Sequence, residues 1–296
     1  MNHGPVIFLA AFLALTASWF GFVLMPDIQV GGLQQTNMVG VAATYPVERP
    51  GLAREGLDVY RANGCASCHS QQVRQSGTVC NVVMTDAGTN RVAVIDVLTQ
   101  ELPDTSRSEI EQMLVGLPKT VLKGSDRPKA NRMVRALKSS GAKSSLSIVP
   151  VGPDIARGWG KRQTVAEDFL YDDPVMLGSQ RIGPDLANVG LREPDARWEY
   201  LHLYAPRLEV KGSIMPPFRY LFDERKIGQA PSPDALALPP DLAPPHGYEI
   251  VPTRKAQGLV AYLLSLQATA PLFNAPLTVP PSAEPTAQTN APSKNP

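Results

Sequence analysis

The sequence predicts a mainly α protein in three parts: one N-terminal helix able to span a membrane, a helical domain, and a small α/β domain ordered βααβαβ. Three observations carry this. Residues 6–25 read VIFLAAFLALTASWFGFVLM without a single charge. Helix-spaced apolar residues precede a Cys-x-x-Cys-His motif and return near the C-terminus. Between these regions, residues 79–149 switch repeatedly between strand-like and helix-like runs.

The apolar run comes first. As a helix, a segment of this length spans roughly 30 Å, the thickness of a bilayer core. A cleavable signal peptide would want a basic start, an apolar stretch of about 7–15 residues and a small-x-small cleavage site. No Lys or Arg precedes this run, and Pro26-Asp27 follow it without an Ala-x-Ala. The expectation is a retained anchor over residues 1–25 and a linker over 26–50. Neither flank has nearby basic residues, so orientation must come from the chemistry downstream.

Composition narrows the function. Lys plus Arg number 28 and Asp plus Glu 27, a net charge of +1 that gives no argument for a nucleic-acid partner. The three cysteines are too few, and odd in number, for a disulfide framework. Many of the 29 prolines fall in residues 231–252 and beyond Pro271, so the tail over 269–296 is expected to be disordered or draped on partners.

Residues 65–69 read Cys-Ala-Ser-Cys-His, the c-type haem attachment pattern. Two thiols at this spacing reach the two vinyl groups on one porphyrin edge, and His69 then presents its imidazole to the iron. A zinc site would need a second cysteine pair, and a thioredoxin-like pair would need a βαβ context; neither is present. The run Leu52–Asn63 before the motif fits a short helix ending at Gly64.

One covalent haem c usually takes a second axial ligand from elsewhere in the chain. The candidates are Met84, Met113, Met133, Met176, Met215, His202 and His246. Met215 is favoured because Pro216 and Pro217 stiffen its loop, and Met176 is the alternative. Met113 and Met133 sit at helical spacing among apolar residues and read as core. His202 reads as an ordinary satisfied interior or surface histidine. Gly183-Pro184 offers a rigid carbonyl that could accept the other ring N–H of His69, or simply makes a turn. Arg157, Lys161, Arg162, Arg181, Arg192 and Arg207 could pair with haem propionates or with partner carboxylates. Trp159 could donate its indole N–H to a propionate or merely pack. Thr253–Gln267 closes the domain as an amphipathic helix with Leu259, Tyr262, Leu263 and Leu266 on one face.

In this order the pieces resemble class I cytochromes c, and more specifically the monohaem subunit (subunit II) of cbb3-type cytochrome c oxidases. The matching stretches are the single N-terminal span, Gly64–Arg74, Trp159–Arg162, Gly178–Gly190, His202–Arg207, Ser213–Phe218 and Gly247–Thr253. The resemblance implies His69 and Met215 as iron ligands and Pro184 as the carbonyl partner of His69; Trp159 and Arg181 are expected, from the residues themselves, to stand beside them. It implies a cytochrome c domain built from 51–77 and 157–268. It also implies a single-pass protein of a bacterial inner membrane with the haem domain in the periplasm. Its partners would be a haem-copper catalytic subunit, another c-type cytochrome as donor, and the lipid bilayer. This chain would carry electrons and leave oxygen reduction to the catalytic subunit.

Residues 78–151 depart from that pattern and form the expected insert. Its period predicts strands at Val79–Met84, Lys119–Leu122 and Lys143–Val149, and helices at Asn90–Leu102, after Ser106, and at Arg127–Ser140. Asn81–Met84, Ala87–Ile95 and Gly141–Lys143 resemble the C-terminal domain of the bacterial ribosomal stalk protein. Where that domain carries its factor-binding turn, this chain reads PDTSRSE, so factor binding is not implied. Cys80 is expected to be a buried strand residue, and the insert a docking or covering module for a neighbouring subunit.

Overall fold

The computed structural model describes residues 3–49 and 51–276. The chain forms two compact units: the stretch up to Ser76 with Gly152–Ala275, and Gly77–Val151.

The first unit begins with a helix over Gly4–Val30 that is long and apolar enough to cross a membrane. It outruns the expected anchor. Pro26 has no N–H to give to the preceding turn, and its ring crowds that turn. The backbone accommodates this by widening to a π turn over Phe20–Leu24, with the Met25 N–H reaching Phe20 O, and then continues as α-helix over Met25–Val30. Part of the expected linker is therefore helical. Further along it, Thr36–Asn37 pairs antiparallel with Thr44–Tyr45.

The core of this unit lies where the Leu52–Ala62 helix crosses the Arg254–Ser265 helix. Leu57, Tyr60, Leu259, Tyr262, Leu263 and Leu266 are buried together. Tyr60 and Tyr262 meet with ring centroids 5.3 Å apart. The crossing is close because Gly56 faces Gly258. A Cβ on Gly56 would lie 1.9 Å from Gly258 O and 2.7 Å from Tyr262 Cβ. Neither atom is a flexible chain end, so Gly56→Ala is expected to push the helices apart and destabilise this unit by about 1–3 kcal/mol. A lowered urea midpoint would register it.

Two features of this unit escape the sequence. Phe222–Lys226 pairs antiparallel with Tyr248–Pro252, and Ala196–Tyr204 is a helix. The tail also starts later than expected: Ala270, Leu272 and Ala275 are buried and pack against Met38, Tyr45 and Val165. Three apolar side chains among the prolines are enough to dock this segment. The rest of the expected tail, 277–296, lies outside the described residues.

The second unit runs strand Gly77–Asp86, helices Arg91–Glu101 and Arg107–Met113, strand Lys119–Ser125, helix Arg127–Ser139 and strand Lys143–Val151. The first strand is central and antiparallel to both others. Asn90, Ser106 and Asp126 cap the three helices, Ser106 in a reciprocal capping box with Glu109. Val82, Met84, Val94, Leu98, Ile110, Met133 and Leu137 fill the core, and Cys80 is buried with them.

Candidate haem site

Gly64, at φ +66°, ends the Leu52–Ala62 helix, and a tight 3-10 turn over Cys65–Ser67 follows. Both Cys68 N and His69 N bond to Cys65 O, so the two thiols and the imidazole leave one turn of chain. Burial pushes the Cys65 thiol up to about 11, with the nearby Cys68 adding to it. Cys65 is therefore held as a thiol at neutral pH. That is the form that adds across a vinyl group, and it is a poor redox nucleophile. Among the described residues, no three His, Cys, Asp or Glu side chains converge as a metal site.

A second segment is strapped across this turn. Ser179 N bonds to Ala66 O, Gly183 N to Cys68 O, Leu186 N to Ser70 O, and Gln71 N to Leu177 O. The strap brings Pro184 O to 2.8 Å from His69 Nδ1. A carbonyl can only accept, so Nδ1 carries the proton and Nε2 keeps its lone pair. Burial holds the His69 pKa below the usual imidazole value despite the Pro184 carbonyl, and Arg192 pushes the same way as burial. A neutral imidazole with a free Nε2 is the ligand form. The approach requires glycines. A Cβ on Gly183 would lie 2.2 Å from His69 Cε1, and one on Gly178 would lie 2.2 Å from His69 O.

Two buried carboxylates anchor the surroundings. Asp185 accepts from Ser70 Oγ at 2.6 Å, Gln72 N at 2.7 Å and Ala187 N at 2.9 Å. Asp154 accepts from Arg74 N at 2.7 Å and takes Arg181 Nη1 on both oxygens, at 2.9 and 2.8 Å. Arg181 also donates to Gln72 O. Trp159 has Arg157 at 4.9 Å and Arg181 at 5.5 Å from its ring centroid.

Of the seven candidates for a second iron ligand, Met84, Met113 and Met133 lie in the other unit's core or pack on it. His246 is exposed. Met176 and Met215 are both partly buried and pack on the core cluster that Cys65 and Ala66 also touch. The Met215 loop is fixed on each side: Met215 N bonds to Ser213 Oγ, and Phe218 N to Leu203 O.

His202 differs from the satisfied histidine expected of it. Its ring stacks on Trp198 at 4.8 Å, and its Nδ1 is buried with no partner. Burial, with His69 as a second titratable imidazole nearby acting the same way, pushes its pKa down to about 4, so it is neutral. Burial and the neighbouring Glu193 likewise push Glu199, one turn earlier, up to about 8. Sequence reasoning passed over Asp154, Asp185 and Glu199. Only Asp185 carried a signal, its place directly after Gly183-Pro184.

The free Nε2, the protonated thiol and the glycine-lined approach to His69 fit a covalently attached porphyrin. No curated protein matches the chain. A family model described as "Cytochrome C oxidase, mono-heme subunit/FixO" matches residues 141–237, a stretch that contains Trp159, Arg181, Pro184 and Met215, so over this stretch the chain is similar to the mono-haem subunit of a cytochrome c oxidase.

Proposed function

We propose that this chain is the membrane-anchored, haem c-carrying electron-transfer subunit of a cbb3-type cytochrome c oxidase. One observation carries the reading: the imidazole directly after Cys65-x-x-Cys68 donates Nδ1–H to a rigid proline carbonyl and leaves Nε2 free. When bound, haem c supplies one-electron exchange between ferrous and ferric iron. Cys65 and Cys68 would hold the porphyrin edge, and His69 and Met215 would hold its iron. Pro184 fixes the tautomer and tilt of His69. Arg181 donates to Asp154 and to Gln72 O, three residues after His69, and its guanidinium lies over the Trp159 ring.

The match to an oxidase subunit and the apolar N-terminal helix support the assignment of partners. The acceptor is the haem-copper catalytic subunit, and the donor is another c-type cytochrome. The helix sits in the bacterial inner membrane with the haem domain in the periplasm. The insert over 78–151, whose stalk-like character rests on its sequence, serves as a docking or covering module for a neighbouring subunit. Haem staining of the chain on a denaturing gel tests the central claim, because only a covalent haem survives denaturation. An unstained band ends it.

Met215 and Met176 are then separated by substitution. Met215→Leu is expected to open the sixth coordination position. Its ferrous form should bind carbon monoxide, and its potential should fall by a sizeable part of the roughly 0.8 V range that axial ligands control. Met176→Leu should leave both unchanged. The reverse pattern would transfer the role to Met176.

A further inference from the structure

We propose that Asp185 is a positioning residue for His69: its carboxylate staples the residue after His69 to the residue after Pro184 and so sets the strength of the His69–Pro184 hydrogen bond. This rests on the haem reading above. The Asp185 side chain is wholly buried. Its bond from Ala187 N is a local turn contact and explains only Oδ1. Oδ2 instead takes Ser70 Oγ and Gln72 N, from a segment more than a hundred residues away in sequence. Arg181 Nη2 lies 3.7 Å from the same oxygen. Asp185 follows Pro184 directly, and Ser70 follows His69 directly. One charged group therefore grips both halves of the contact from behind. Its hydrogen bonds are charge-assisted and short, the strong kind.

The backbone bonds Gly183 N to Cys68 O and Leu186 N to Ser70 O set the two strands side by side. They leave the distance between a side-chain nitrogen and a carbonyl free to vary, and the carboxylate fixes it. The stronger the Nδ1–H···O bond, the more electron density the imidazole gives the metal, and the more the ferric state is favoured. Slackening the staple should therefore raise the midpoint potential.

The test uses the full-length chain purified with its haem, titrated by visible spectroscopy. Asp185→Asn is expected to shift the ferric–ferrous equilibrium about tenfold toward ferrous, an upward move of about 59 mV for one electron. Ser70→Ala keeps the charge and cuts one arm of the staple, so it should shift the potential upward by a smaller amount. A shift in Asp185→Asn with none in Ser70→Ala would reduce the effect to loss of a charge and overturn the staple. Unchanged potentials in both would overturn it as well. If Asp185→Asn yields no folded chain, Ser70→Ala decides alone. A wild-type chain without haem would overturn the haem reading and this inference together, whereas haem with unmoved potentials overturns this inference only.

Discussion

Arg162→Met is expected to destabilise the unit that holds the Cys-x-x-Cys-His motif by about 3–5 kcal/mol. The Arg162 side chain is fully buried. Its guanidinium donates to both oxygens of Asp168, at 3.0 and 2.7 Å, and to the carbonyls of Ala270 and Gln163. Tyr45 lies 5.6 Å away under the guanidinium, its phenol pushed up by burial and then by the Asp168 charge. Removing the cation leaves Asp168 charged and buried with no counter-charge, which costs far more than the pair itself contributes. Ala270 O would also lose a donor, freeing the segment that begins the C-terminal stretch. Adding Asp168→Asn to Arg162→Met should recover part of the loss, because the stranded charge is gone. All three tryptophans lie in this unit, so fluorescence during urea unfolding reads it apart from the other. A loss below about 1 kcal/mol, the range of an exposed ion pair, would contradict the account.

On the proposed role of His69, Gly183→Ala is expected to lower the amount of haem that becomes attached per chain, because disturbing a group that orients a metal ligand usually weakens metal binding by about 10- to 100-fold before any covalent bond forms. The added Cβ would sit 2.2 Å from His69 Cε1 and 2.7 Å from Nδ1. The backbone cannot retreat, because Gly183 N is held by Cys68 O. The ring must swing away instead, and it then loses Pro184. Gly228→Ala is the control, since a Cβ there meets nothing within 4 Å. Haem stain per chain, compared across the two variants, is the measurement. Equal staining would mean that the ring has room to spare.

Periodic elements were the most legible part of the sequence. Leu259, Tyr262, Leu263 and Leu266 share one face of a helix and are all buried. The same holds for Ile110 and Leu114, and for Ala130, Met133 and Leu137, because burial of one face imposes the period. The pairing of Phe222–Lys226 with Tyr248–Pro252 was not legible. Four of its first five residues are charged, and its partner lies beyond a proline-rich stretch. The helix through Pro26 was missed because a π turn leaves no mark on composition. The site divides in the same way. Cys65, Cys68 and His69 declare themselves by local spacing. Asp185 and Asp154 each hold a partner 80 or more positions away, and only the folded chain brings those together.

The register of the Gly77–Val151 unit has a consequence for how the remainder of the chain closes. Gly77 pairs directly with Val151, so this unit enters and leaves through one rung of its own sheet. His69 and Pro184 are 115 positions apart along the sequence. Once the intervening unit has folded, the flexible path between them shortens to roughly 40 residues, and the entropy of bringing them together falls by about 1 kcal/mol. To the polypeptide around it, a whole extra domain then weighs little more than a tight bend, which is how so long an interruption can sit between two groups that must touch.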